Sequence, residues 1–183
     1  EAVVVGVLMT IKKNDSVVTT YRDHGHMIAR GLDPKKIMAE LTGRTDGYSA
    51  GKGGSMHMFS KENNFYGGHG IVGAQVPIGT GIAFTHKYNG DKNICRTYIG
   101  DGAMNNGQVF EAFNLAALWQ LPVLYIIENN KYGMGTAVDR AAAGSHLYKR
   151  GEAFGIKGEI VDGMNVYSVI KAADKAGEYV RSG

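Results

Sequence analysis

Short apolar runs and helical periodicity divide this chain into alternating strands and helices. Val17–Tyr21, Ile94–Ile99 and residues 123–128 are rich in branched and aromatic side chains. Such runs read as strands buried on both faces of a sheet. Residues 1–13, EAVVVGVLMTIKK, read as an apolar helix. Asp33-Pro34 places an N-cap and a first-turn proline before a helix reaching Leu41. Pro77 opens a helix to about Tyr88, and residues 107–119 repeat apolar positions at Val109, Phe110, Phe113, Leu115, Ala116 and Trp119, a face able to pack on a sheet. A loop to about residue 146, a short helix near Lys149, a strand near Glu159–Val161 and a helix over Asn165–Arg181 complete the pattern. Residues 42–75 show neither period and read as one glycine-rich loop region, of a length that usually serves function. Strand-helix-strand over about thirty residues is the crossover unit of a parallel sheet. The expected fold is therefore α/β, a parallel sheet flanked by helices in a single domain over residues 1–183.

The chemistry concentrates between Gly100 and Asn130. Gly100-Asp101-Gly102 ends one predicted strand, and Asn129-Asn130 ends the next. Ligands of such sheets bind at the carboxyl ends of the strands. An acidic and an amide oxygen there suit a hard cation such as Mg2+, which takes a few oxygens from protein and the rest from phosphate and water. Gly100 and Gly102 allow a sharp turn and close backbone approach, and the helix that follows offers an N-terminus to a phosphate. Together these features predict a diphosphate cofactor held through magnesium, with Asp101 and Asn130 as metal ligands.

The GDG-to-NN spacing resembles the thiamine diphosphate motif, and the likeness extends well beyond it. YRDHGH at Tyr21–His26, MAELTGR at Met38–Arg44, GKGGSMHMF at Gly51–Phe59 and NFYGGHGIVGAQVP at Asn64–Pro77 lie before it. ALWQLP, ENNKYGMGT, YKRGEAFGI and VDGMNV lie within or after it. On these motifs the chain resembles the alpha subunits of the pyruvate dehydrogenase first component, in the thiamine diphosphate-dependent 2-oxo acid dehydrogenase family. The resemblance covers essentially all 183 residues.

That resemblance implies a thiamine diphosphate-binding fold and assigns further residues. Tyr21 and Arg22 stand where the family sets a pair over the cofactor. Gly70 and Val72 match the segment that meets the aminopyrimidine through backbone groups. Gly102 and Ala103 follow the acidic ligand beside the diphosphate, and Tyr132 lends a main-chain carbonyl as third metal ligand. The implied activity is oxidative decarboxylation of pyruvate, with acetyl transfer to the lipoyl arm of a second component. The implied partners are a beta subunit, in an assembly of two alpha and two beta chains, and the lipoyl-bearing acetyltransferase. The family's proton-transfer glutamate belongs to the beta subunit; no residue here matches it, so no catalytic residue is assigned.

Related readings differ in particular residues. Branched-chain enzymes usually read GEG where this chain has Gly100-Asp101-Gly102, and acetoin-type enzymes usually lack Tyr at position 21. A nicotinamide-binding domain would need GxGxxG after its first strand, and Asn130 would then be unexplained. A binding module without a cofactor would have no use for Asp101 and Asn130. Met104 and Asn106 replace the Ala and Gln frequent in the family and are expected to tune the helix start. Ala137 stands where mitochondrial members often carry a regulatory serine, which points to a bacterial cytoplasmic enzyme; the mitochondrial matrix is the eukaryotic counterpart.

Composition narrows the picture slightly. Gly is 27 of 183, about twice ordinary usage, and clusters in the candidate loops. A net charge of +3 without long runs gives no case for nucleic acid or membrane partners. Cys95, the only cysteine, falls in a predicted buried strand as a small core residue. The six histidines show no zinc spacing; His57 is expected to pack or cap, and His24 and His26 are candidates to line the cleft. The ends read as cut, so the chain is expected to be a fragment of a longer alpha subunit.

Overall fold

The computed structural model describes residues 1–144 and 146–183. The elements run α1 (Ala2–Met9), β1 (Ser16–Thr19), α2 (His24–Ala29), α3 (Pro34–Leu41), β2 (Phe65–Gly68), α4 (Gln75–Asn89), β3 (Cys95–Gly100), α5 (Gly107–Leu118), β4 (Val123–Glu128), β5 (Tyr132–Gly133), β6 (Thr136–Ala137), α6 (Val138–Ala141) and α7 (Val166–Ser182). Short 3-10 turns cover Lys61–Asn63, Ala103–Asn105 and Leu147–Phe154.

Four strands form one parallel sheet in the order β2-β1-β3-β4. Side chains alternate between its faces, as the pleat requires. Val17 and Tyr98 join α1, α2, α3 and α7 residues such as Leu8, Met27, Ile37 and Val169 in one core. Val18 and Cys95 face the opposite layer with Ala83 of α4 and Ala116 of α5, and Ile99 packs with Val76, Val109 and Phe113. Gly79 lets α4 lie so close to β3 that a Cβ there would collide with Thr97. The resulting architecture, a parallel sheet between helical layers, is the α/β class expected from the sequence.

Several boundaries and elements differ from the expectation. Residues 42–75 are not wholly loop, because Phe65–Gly68 forms β2 at the sheet edge. His24–Ala29, to which the sequence pattern assigned no element, is helix α2. No strand forms over Glu159–Val161: β4 has no further strand beside it among the described residues, Ile160 is exposed, and Glu159 instead pairs with Lys175 of α7 at 2.8 Å. Leu115 and Trp119 do not pack on the sheet as their spacing suggested, since α5 buries Val109, Ala112, Phe113 and Ala116 instead.

Candidate functional site

All the residues singled out for a cofactor follow the carboxyl ends of the four parallel strands. Tyr21 and Arg22 follow β1, Gly70 and Val72 follow β2, Asp101, Gly102 and Ala103 follow β3, and Asn130 and Tyr132 follow or open the segment after β4. The strand order reverses between β1 and β3, so the chain leaves the sheet in opposite directions there and opens a crevice.

Asp101 and Ala103 are the buried members of the group, at 3% and 6% exposure. Asp101 Oδ2 has no hydrogen-bond partner among the described residues. A buried carboxyl oxygen without a donor carries a desolvation cost, of about 1–3 kcal/mol or more for a charged group. Such an atom is suited to a cation or other ligand. Register brings the second loop beside it: β3 and β4 pair from Cys95↔Val123 to Gly100↔Glu128, so Asp101 and the Asn129-Asn130 pair leave the sheet side by side.

The segment after β4 is shaped by its own side chains. Asn129 Oδ1 accepts from the Lys131 N–H and Asn130 Oδ1 from the Tyr132 N–H, both at 3.0 Å. These turns deliver the β5–β6 hairpin, whose Tyr132 pairs with Ala137. Gly102 and Gly133 meet across the crevice; a Cβ on Gly102 would lie 3.5 Å from the Gly133 Cα. Register and the Gly102–Gly133 approach therefore bring the loops that carry Asp101, Asn130 and Tyr132 to the same part of the sheet edge. One acidic and two neutral oxygens suit a hard cation. Among the described residues no cluster of three or more His, Cys, Asp or Glu stands as an alternative metal centre.

The neighbouring loops complete the rim. Arg22 is exposed, with its guanidinium carbon 5.6 Å from the centre of the Tyr21 ring. Between β1 and α2, Asp23 is fully buried: its Oδ1 accepts from the Thr19 hydroxyl at 2.6 Å and its Oδ2 from the Met58 N–H at 3.4 Å. Burial pushes this carboxyl up to about 7, against the pull of Thr19, Met58 and nearby His57. Glu128, at the end of β4, is also raised by burial, which Arg22 opposes. Gly70 and Val72 are exposed. A Cβ on Gly70 would meet the His57 ring at 3.1 Å, so the ring lies directly beneath this backbone.

Asn106, expected to tune the helix start, does so and also makes a contact that the sequence did not signal; Arg150 had no sequence signal at all. Asn106 caps α5 by accepting from the Gln108 N–H at 3.1 Å and donates through Nδ2 to the Val72 carbonyl at 3.2 Å. It thereby ties the β2–α4 loop to the β3–α5 loop. Arg150 donates to the Met104 carbonyl at 2.6 Å and fixes the turn after Asp101 from below. The histidines divide. His26 does not line the cleft: it is buried with its ring centre 4.3 Å from that of Tyr98, and burial lowers its pKa to about 4. His24 is exposed and contacts Ser55 Oγ at 2.9 Å. His57 is exposed rather than packed in the core, its Nδ1 3.3 Å from the Gly68 carbonyl. Cys95 is fully buried and burial pushes its thiol up to about 12, a core role without reactivity.

A parallel α/β sheet with glycine loops and an unpaired acidic oxygen at its carboxyl edge places the chain among the open-sheet α/β domains, whose ligands bind at that edge. The sequence matches the model for the dehydrogenase E1 component over residues 1–183, and the chain belongs to that family. It is 61% identical over 183 residues to the pyruvate dehydrogenase E1 component subunit alpha of Rhizobium meliloti, covering 100% of this chain and 53% of that protein. The protein of the same description from Rickettsia felis is 61% identical over 181 residues, covering 99% and 56%. The mitochondrial somatic form from Bos taurus is 56% identical over 183 residues, covering 100% and 46%. The chain spans about half the length of the curated relatives it matches.

Proposed function

We propose that this chain forms the metal- and diphosphate-binding half of a thiamine diphosphate-dependent pyruvate dehydrogenase. The observation that carries the reading is the unpaired, buried Asp101 Oδ2 at the end of β3, beside Asn130 and the Tyr132 backbone, in a chain of the dehydrogenase E1 component family. Asp101, Asn130 and the Tyr132 carbonyl would hold Mg2+. Gly102 and the Ala103 amide would border the diphosphate, with Arg22 supplying positive charge and two donors. Tyr21, Gly70 and Val72 would flank the organic part of the cofactor. When bound, thiamine diphosphate supplies the electron sink that lets a 2-oxo acid lose carbon dioxide.

The chain's own residues bind and orient; they do not complete the reaction site. Tyr21, Arg22, Gly70, Val72, Gly102, Asn130 and Tyr132 are all exposed at the open edge. Ile71 and Met134 beside them are exposed apolar residues, 75% and 97%. Such a rim excludes water only when another surface covers it, which supports a beta subunit in an α2β2 assembly that also supplies the proton-transfer glutamate. A lipoyl-bearing acetyltransferase would then take the acyl group. No helix among the described residues is long and apolar enough to cross a membrane. Ala137, which lacks a regulatory hydroxyl, and the bacterial relatives support a bacterial cytoplasmic enzyme, with the mitochondrial matrix as the eukaryotic counterpart.

Assembly of the full-length protein with its beta subunit tests the reading. Pyruvate should be turned over only by the assembly with thiamine diphosphate and magnesium. It should be preferred over the 2-oxo acid of valine by more than the roughly 10- to 200-fold that one methylene contributes. Equal specificity constants would move the protein to the branched-chain class, and preference for acetoin would move it to the acetoin class. Full turnover by the alpha subunit alone would contradict the divided site.

A further inference from the structure

Glu40 is a buried carboxylate with no part in the proposed cofactor contacts. It lies in the last turn of α3 and is 1% exposed. Four backbone N–H groups donate to it: Ser49 and Gly51 to Oε2 at 2.7 and 2.9 Å, and Gly53 and Gly54 to Oε1 at 2.7 and 3.0 Å. Gly51 and Gly54 adopt positive φ of 73° and 59°, which aims successive amides inward. A Cβ on Gly47 would run into the Glu40 backbone at 2.6 Å. The segment from residue 47 to 54 is thus wrapped around one carboxylate instead of an apolar core. Burial alone would raise this group, but the amides of Gly51, Ser49, Gly54 and Gly53 outweigh it and hold Glu40 below the usual carboxylate range.

The outer side of the wrapped segment touches the site's rim. Ser49 Oγ donates to the His57 carbonyl at 2.6 Å, and Ser55 Oγ meets His24 Nε2 at 2.9 Å. His57 in turn lies beneath Gly70 and beside the Gly68 carbonyl. A continuous path therefore runs from Glu40 through glycine backbone to two histidines and to the loop proposed to meet the cofactor's organic part.

We propose that Glu40 is a positioning residue for the cofactor site, acting through residues 47–58 to hold His57 against the Gly70 edge and to fix His24 through Ser55. The inference rests on the cofactor reading above. Glu40 itself touches neither cofactor nor substrate; it fixes the wall before either arrives. A loop of this glycine content loses much conformational entropy on ordering, and charge-assisted bonds to one buried anion are a direct way to offset that cost.

The test uses Glu40→Gln in the full-length protein assembled with its partner subunit. Two of the four donors would then face an amide NH2 rather than an oxygen. Without cofactor, hydrogen exchange over residues 47–58 should quicken by at least about tenfold while residues 100–107 stay unchanged. With magnesium, the dissociation constant for thiamine diphosphate should rise by about 10- to 100-fold, the usual effect of losing an outer partner of a bound group. It should do so well below the melting temperature, where a merely structural loss would leave the affinity of the folded protein intact. Unchanged exchange would overturn the proposal, as would quickened exchange with unchanged affinity. Wild-type protein that binds no thiamine diphosphate would instead overturn the cofactor reading, with the exchange result still standing as the measure of Glu40. Should Glu40→Gln fail to fold, Ser55→Ala leaves the four amide bonds in place and removes only the His24 contact. A several-fold weaker cofactor affinity is then expected, and an unchanged one would contradict the proposal.

Discussion

The two ends of the sheet use buried polar residues in opposite ways. At the amino end, Asp15 is fully buried and almost saturated. It accepts from the Lys12 and Ile94 N–H groups at 3.0 and 3.1 Å, pairs with Arg181, and lies 3.7 Å from Arg96. Arg96 also donates to the Thr10 hydroxyl and carbonyl at 2.7 and 2.8 Å, and Arg30 donates to the Lys13 carbonyl at 2.7 Å. These bonds lock α1, α7 and β3 together. At the carboxyl end, Asp101 is buried with its Oδ2 unpaired, while Tyr21, Arg22, Gly102 and Asn130 along the same edge are exposed. Burial of charge is common to both ends. What marks the candidate site is an acidic oxygen left open, whereas the amino end leaves only the arginine Nε atoms of Arg30, Arg96 and Arg181 without hydrogen-bond partners among the described residues, while their terminal guanidinium nitrogens are bonded.

The amino end also shows that catalytic-looking geometry is not a site by itself. Ser16 Oγ lies 2.9 Å from His86 Nε2, and His86 Nδ1 lies 3.1 Å from Asp91 Oδ2. The distances match those of a nucleophile, a base and an orienting acid. Ser16, however, is 1% exposed at the start of β1, so a substrate has no way to its hydroxyl. The trio staples the end of α4 to the sheet.

Breaking either end should therefore give different losses. The largest stability effect belongs to Asp15→Ala, which leaves Arg96 and Arg181 buried without their anion. Chemical denaturation should show a loss of about 3–5 kcal/mol, with cofactor affinity of the folded protein unchanged. A concurrent loss of affinity would join the two ends energetically.

A smaller, mixed effect is expected at Asn106. Its replacement by Ala removes the α5 cap, worth about 0.5–2 kcal/mol, and also the bond to the Val72 carbonyl. Stability and cofactor affinity should fall together; loss of stability alone would show that the loop tie is idle. Ser16→Ala should cost only about 1 kcal/mol and leave turnover of pyruvate untouched, and a loss of turnover would break the contrast between the ends.

The pH dependence separates Asp23 from both. Its folded pKa of about 7 exceeds the ordinary 3.8, so between those values the folded state binds the extra proton. Stability should then fall as pH rises from about 4 to about 7, and the cost is fully present above the folded value. Asp23→Asn should remove that part of the slope in denaturation curves taken across the window. An identical slope in wild type and variant would contradict the assignment.

How much of this was legible in the sequence follows from where each signal resides. The β3-α5-β4 unit was readable because apolar runs, helical period and glycine turns agree, and the structure brings Asp101 and Asn130 to adjacent strand ends as the spacing implied. Strand β2 was missed because Phe65-Tyr66-Gly67-Gly68 carries two glycines and no alternation. The strand expected at Glu159–Val161 had branched residues but no neighbour to pair with. His26 looked like a cleft residue by its distance from Arg22, yet the turn into α2 points it at Tyr98. Asn106 was legible as a residue at the start of α5, where it caps the helix, but its tie to Val72 was not, and neither was Glu40: their partners are backbone amides and a carbonyl, and residue identity does not record those.

The central claim is that the open oxygen of Asp101 serves a cation that holds a diphosphate. Calorimetry of thiamine diphosphate binding with magnesium to the full-length assembled protein, wild type against Asp101→Asn, tests it most directly. The account predicts an affinity loss of more than about 100-fold, beyond that expected for an outer partner. It also predicts a cofactor-free melting temperature that is unchanged or higher, because the variant no longer buries an unpaired carboxyl. Equal affinities for the two proteins would contradict it.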